Sequence, residues 1–82
     1  MKIFTLLLVG FSLVFGVVDI NNAPAKELTT LKGIVVKKAE AIISYREKHC
    51  FITADELTKV KGIGKKTLEK NRENIKTGAC EQ

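Results

Sequence analysis

Eight residues in the second half of the chain have the types and spacing to hold a phosphate: Val60-Lys61-Gly62-Ile63-Gly64-Lys65-Lys66-Thr67. Gly62 can take a positive φ, which ends a helix at little cost. Ile63 is an apolar anchor that would point inward and hold the turn. Gly64 has no side chain, so the backbone there can approach another molecule closely. A helix starting near Lys65 would present its first N–H groups without internal partners, at the positive end of its dipole. Such an end accepts anions, and Lys61, Lys65 and Lys66 surround it with full positive charge. Nothing in this run offers a surface for reading bases. Taken alone, though, a glycine between two helices is often only a loop, and lysines beside it only a solvated face.

The run has a second copy. Leu31-Lys32-Gly33-Ile34-Val35-Val36-Lys37-Lys38 repeats the glycine stop, the apolar anchor and the lysines. Val35 stands where the later copy has Gly64. A β-branched side chain resists positive φ and keeps a ligand farther away. The first turn is therefore expected to hold phosphate less well than the second. The candidate contact set is Lys32, Gly33, Val35, Lys37 and Lys38 in the first turn, and Lys61, Gly62, Ile63, Gly64, Lys65, Lys66 and Thr67 in the second.

Duplication extends into the elements that must position these turns. Shifted by 29 residues, Glu27-Leu28-Thr29-Thr30-Leu31-Lys32-Gly33-Ile34 aligns with Glu56-Leu57-Thr58-Lys59-Val60-Lys61-Gly62-Ile63, with Glu, Leu, Thr, Lys, Gly and Ile identical. A repeated sequence implies a repeated structural unit, and each unit reads as helix, tight turn, helix. Pro24 suits the first turn of a helix, and Leu28 and Leu31 share a face at helical spacing. Ala39, Ile42 and Ile43 supply the stripe of the next helix, to about Lys48. Thr53 with Glu56 three residues on reads as a capping box. Leu57 and Val60 repeat the stripe. Leu68 and Ile75 would share one face of a last helix ending near Thr77-Gly78. No segment alternates with period two, so the expectation is all-α: four to five short helices, no sheet, and two hairpins at about 24–48 and 53–77 whose apolar faces bury each other.

Composition bounds the rest. The chain has 82 residues and a formal net charge of +5, and a domain this small has little room for a catalytic pocket beside a core. Met1-Lys2 followed by an uncharged run from Ile3 to Val18 reads as an export leader. It is short for a membrane span, which needs about 20 apolar residues. Val14 and Gly16 suit a cut after Gly16, giving a leader at 1–16 and a domain at 17–82. An uncleaved anchor is the alternative, but it would press the domain against the bilayer with no linker. Cys50 and Cys80 are a candidate disulfide, since a small exported chain benefits from a staple in an oxidising compartment; two unpaired thiols are the alternative. With only His49 nearby, they do not form a metal site. His49 also lacks the neighbours that would make it catalytic. Phe51 reads as core, Tyr45 as a packing or stacking residue, and Arg46 and Arg72 as helix-surface charge.

The run from about Val18 to Gly78 resembles the tandem helix-hairpin-helix domain of the ComEA family of competence proteins and its short exported relatives. The matching pieces are Asp19-Ile20-Asn21-Asn22-Ala23, Glu27-Leu28, Leu31-Lys32-Gly33-Ile34, Lys38-Ala39-Glu40-Ala41-Ile42-Ile43, Tyr45-Arg46, Phe51, Glu56-Leu57, Val60-Lys61-Gly62-Ile63-Gly64 and Lys66-Thr67-Leu68. The resemblance implies a periplasmic receptor that binds double-stranded DNA by its backbone, without sequence preference and without a cofactor, beside other parts of a DNA-uptake machinery. Three departures stand out. The family usually carries glycine at position 35 and often proline at 36, where this chain has Val35 and Val36. It usually carries an apolar residue where this chain has Asn71, and the two cysteines lie outside the hairpin motif. Two rival readings remain: a protein-interaction module of the cell envelope, and a base-excising enzyme, for which the chain has no room to accept a flipped base.

Overall fold

The computed structural model describes residues 16–80; the proposed leader falls almost wholly outside them. The chain runs β1 (Val18–Asp19), α1 (Ala25–Leu28), α2 (Val36–Arg46), a 3₁₀ helix (Ala54–Lys59), α3 (Lys65–Asn71), a single 3₁₀ turn (Arg72–Asn74) and β2 (Ile75–Lys76). The fold is a pair of helix-hairpin-helix units, α1–α2 and the longer 3₁₀ helix with α3. No helix of the described residues is long and apolar enough to cross a membrane.

The 29-residue repeat is a structural repeat down to individual hydrogen bonds. In the first unit Leu31 N–H donates to Leu28 O, Ile34 N–H to Leu31 O and Ala39 N–H to Val35 O. In the second, Val60 donates to Leu57, Ile63 to Val60 and Leu68 to Gly64. Thr29 and Thr58, equivalent by the same shift, each return their hydroxyl to the carbonyl three residues earlier. Leu28, Leu31, Ile34, Ala39 and Ile42 from one unit and Leu57, Val60, Ile63 and Leu68 from the other form a single core with Val18, Ile20 and Phe51. Facing each other, the two stripes exclude water.

Three local expectations are corrected. First, a sheet exists: β1 and β2 pair in parallel, Val18 with Ile75 and Asp19 with Lys76. Two-residue strands are too short to leave a period-two pattern in the sequence. Second, the last helix stops at Asn71, so Ile75 is buried from a strand and not from a helix face. The Asn71 side chain donates to the Thr67 carbonyl of its own helix, the kind of side-chain bond that competes with helical continuation. Third, the capping box at Thr53 does not form. Thr53 is the N-cap but makes no side-chain cap bond, and the Glu56 carboxylate accepts instead from Ile52 N–H, one residue earlier. Pro24 likewise sits just before α1, as its N-cap.

The Asp19-Ile20-Asn21-Asn22 stretch acts as a clasp. Asp19 Oδ1 accepts from the amides of Asn21 and Gly78, both at 2.9 Å. Asn21 donates to Phe51 O and Gly78 O and accepts from Phe51 N–H. The start of the domain is thereby fixed to the loop between hairpins and to the C-terminal segment. A side chain on Gly78 would collide with the Asp19 carboxylate. Cys50 and Cys80 are joined in a disulfide, with Cα atoms 5.8 Å apart, and reinforce the same closure. Beneath it Tyr45 stacks on Phe51 at 5.1 Å, and Arg46 Nη1 donates to Ile20 O. Both residues serve the frame.

Candidate nucleic-acid interface

Both turns take the backbone that their glycines permit. Gly33 has φ +79° and Gly62 φ +94°, and no non-glycine residue among those described has positive φ. Ile34 and Ile63 point into the core, which lets each turn protrude while remaining anchored. Lys32, Lys37, Lys61, Lys65 and Lys66 are exposed, and Lys38 and Thr67 are half-buried.

The half-buried pair shows how the turns are arranged. A Cβ on Gly33 would lie 3.7 Å from Thr67 Cγ2, and a Cβ on Gly62 would lie 3.7 Å from Lys38 Cε. Lys38 and Thr67 occupy equivalent positions of the repeat. Each turn therefore sets its glycine beside the opposite hairpin's second helix, a reciprocal contact expected of units related by a pseudo-two-fold axis. The two turns are thereby brought close together, with the Lys38 stem beside Gly62.

The helices that leave the turns begin in an unusual electrostatic state. α1 and the longer 3₁₀ helix carry acidic residues in their first turns, as the backbone dipole favours. α2 and α3 carry none, and each instead has two lysines, Lys37 with Lys38 and Lys65 with Lys66; none of these four helix starts has a side-chain cap. The amides of Val36 and Lys37, and of Lys65 and Lys66, make no hydrogen bond within the described residues. Lysines beside uncapped amides are mildly unfavourable in isolation, by about 0.3–1 kcal/mol each. An arriving anion reverses the sign. Because α3 has only seven residues, amides and ammonium groups matter more there than a summed dipole.

The structure corrects part of the argument about Val35. Val35 has φ −89° and ψ 174°; Gly64 has φ −100° and ψ −178°. Both are extended, so position 64 does not require glycine for its conformation. What differs is space. A Cβ on Gly64 would meet nothing within 4 Å, leaving the second turn's backbone bare, whereas Val35 and Val36 project with 62% and 60% of their surface exposed.

One contributor lay outside the sequence-derived set. Asn71 is 1% exposed; its Oδ1 accepts from Lys32 N–H at 2.8 Å and its Nδ2 donates to Lys32 O at 2.9 Å. It pins the first turn to α3 and takes up that turn's Lys32 amide. Its repeat equivalent is Ile42, an ordinary core residue. The signal was a polar residue at an apolar position of the repeat. Arg72 is bound by Asp55 and Glu69, each at 2.7 Å, and those carboxylates hold it above its ordinary range.

Among the described residues no group of three His, Cys, Asp or Glu side chains could hold a metal. The arrangement is suited to binding an extended anion at two adjacent points.

A model of the helix-hairpin-helix motif matches residues 15–76. The chain belongs to the helix-hairpin-helix family. Its domain is ComEA-like: it is 48% identical over 59 residues to ComE operon protein 1 of Bacillus subtilis, covering 71% of this chain and 29% of that protein. It is also 58% identical over 59 residues to an uncharacterized protein of Haemophilus influenzae, covering 70% of this chain and 53% of the relative. The helix-hairpin-helix segment thus spans about half of one relative and under a third of the other.

Proposed function

We propose that this protein binds double-stranded DNA through its phosphate backbone, without reading sequence, as an exported receptor in DNA uptake during natural transformation. The carrying observation is the reciprocal placement of two glycine turns, each opening onto uncapped amides and paired lysines where acidic residues would otherwise stand. Two anion sites held side by side on one rigid frame can engage two stretches of backbone and so set an orientation, whereas base edges are needed to set a sequence. Binding, not catalysis, is the function proposed. Assignment to DNA uptake rests on the ComEA-like domain. Export is supported by the uncharged run near the N-terminus and by the Cys50–Cys80 bond, which suits an oxidising compartment such as the periplasm.

Gel shift with random duplex DNA at two salt concentrations tests the binding reading. Neutralising about five phosphates gives a log–log salt slope near −4.5, so raising salt from about 50 to about 200 mM weakens binding roughly 500-fold. Lys65→Ala with Lys66→Ala should weaken every sequence alike. No binding in dilute buffer would remove the proposal, and the uptake role with it. A shift in sequence preference would remove backbone recognition.

A further inference from the structure

The two turns are built on one plan but present different chemistry to the same face. At the second, bare backbone at Gly64 is open to a ligand. At the first, two adjacent valines stand out from the surface, 62% and 60% exposed. Val35 is not there for the backbone, whose angles match those of Gly64. Nor does it fill the core, since the equivalent Cβ position on Gly64 touches nothing. Asn71 also takes the Lys32 amide out of reach of a ligand. Lys32, Lys37 and Lys38 belong to the same turn, the first two exposed and the third half-buried. An exposed apolar pair on a turn that carries three lysines fits an apolar surface bordered by anions. The reciprocal Gly33–Thr67 and Gly62–Lys38 contacts bring the two turns close together, within reach of one duplex.

We propose that Val35 and Val36 form a sugar-facing contact: they pack against deoxyribose along the minor-groove wall of the duplex whose phosphates the second turn holds, and thereby favour DNA over RNA. This rests on the duplex-binding reading given above. The deoxyribose carbons exposed in the groove are apolar, with phosphates on either side. In RNA the same wall carries a 2′-hydroxyl, the group by which a protein distinguishes the two. Packing two branched apolar side chains against it would leave that hydroxyl without a partner, and an unpaired polar group at a dry contact is costly. Apolar side chains in a minor groove are an established means of engaging DNA.

The test uses the full chain and 20-base-pair duplexes of DNA and of RNA with one random sequence, by fluorescence anisotropy at fixed salt. Val35→Thr with Val36→Thr keeps shape and branching but adds hydroxyls. Wild-type protein should prefer the DNA duplex, and the double variant should lose that preference by about tenfold. Lys65→Ala with Lys66→Ala should weaken both duplexes together and leave the preference in place. Unaltered helical circular dichroism would show that the exposed substitutions fold. Equal wild-type binding to both duplexes, or a preference unchanged in the threonine variant, overturns the proposal while leaving DNA binding intact. Light scattering in which wild type self-associates and the threonine variant does not, with the preference unchanged, would assign the valines to a contact between copies and also overturn it. Absence of any wild-type DNA binding would instead remove the duplex-binding reading on which it rests.

Discussion

Asn71 and Asp19 each gather hydrogen bonds from segments distant in sequence, and each makes a residue-scale prediction. Truncating Asn71 to alanine strands the Lys32 N–H and C=O against a buried surface, which costs about 1–3 kcal/mol for a group left unpaired. The urea midpoint of Asn71→Ala should fall accordingly, and the first turn should lose hydrogen-exchange protection before the second. Asp19 responds to pH. Partial burial pushes its carboxyl up, but hydrogen bonds from Asn22, Gly78 and Asn21, with the nearby Lys76 charge, outweigh this and hold it below its ordinary 3.8. A carboxylate so depressed contributes stability that is present above its unfolded value and lost as pH falls through the folded one. Thermal melts should therefore drop on acidification below about 3.8, and Asp19→Asn, less stable at neutral pH, should show a shallower acid slope.

At the scale of elements the contrast between the two turns decides the outcome. Gly64→Val places a branched side chain where bare backbone now faces solvent, so it should weaken duplex binding more than Val35→Ala does in the same anisotropy titration. Equal losses would mean that closeness of approach at the second turn is not what holds the phosphate. Stability should barely respond, because valine already adopts the same extended angles at position 35. The positions that do need glycine are 33 and 62, both at positive φ.

For the whole molecule, closure is the weak point of so small a domain. β1 pairs with β2, the Asp19 and Asn21 clasp grips Phe51 and Gly78, and the disulfide closes a loop with a sequence separation of 30. Removing the bond, by reductant or by Cys50→Ser with Cys80→Ser, should cost about 3–4 kcal/mol through the entropy of the unfolded chain. Denaturant titrations with and without reductant read this directly. Both turns draw their anchors from the central core, so DNA binding should persist in reducing buffer at temperatures where the domain stays folded.

The hairpins, the glycine stops, the inward anchors and the lysines were all legible in the chain, because each depends on neighbours within a turn or two. Glycine at 33 and 62 marks a backbone that few other residues adopt, and apolar residues three and four apart define a buried face whatever packs on it. Duplication then said that whatever one unit does the other is built to do. Long-range pairing was not legible. Ile75 keeps helical register with Leu68, yet it leaves the helix to pair with Val18, a partner 57 positions away that no local pattern names. Asn71 looked like a flaw in an apolar stripe until the Lys32 backbone came to lie against it. Thr53 and Glu56 carried the signature of a capping box, but the chain enters the 3₁₀ helix at an angle that offers Glu56 the Ile52 amide instead. Local conformational preference is encoded residue by residue; which polar group meets which across the core depends on how the two hairpins dock, and that exists only once they have.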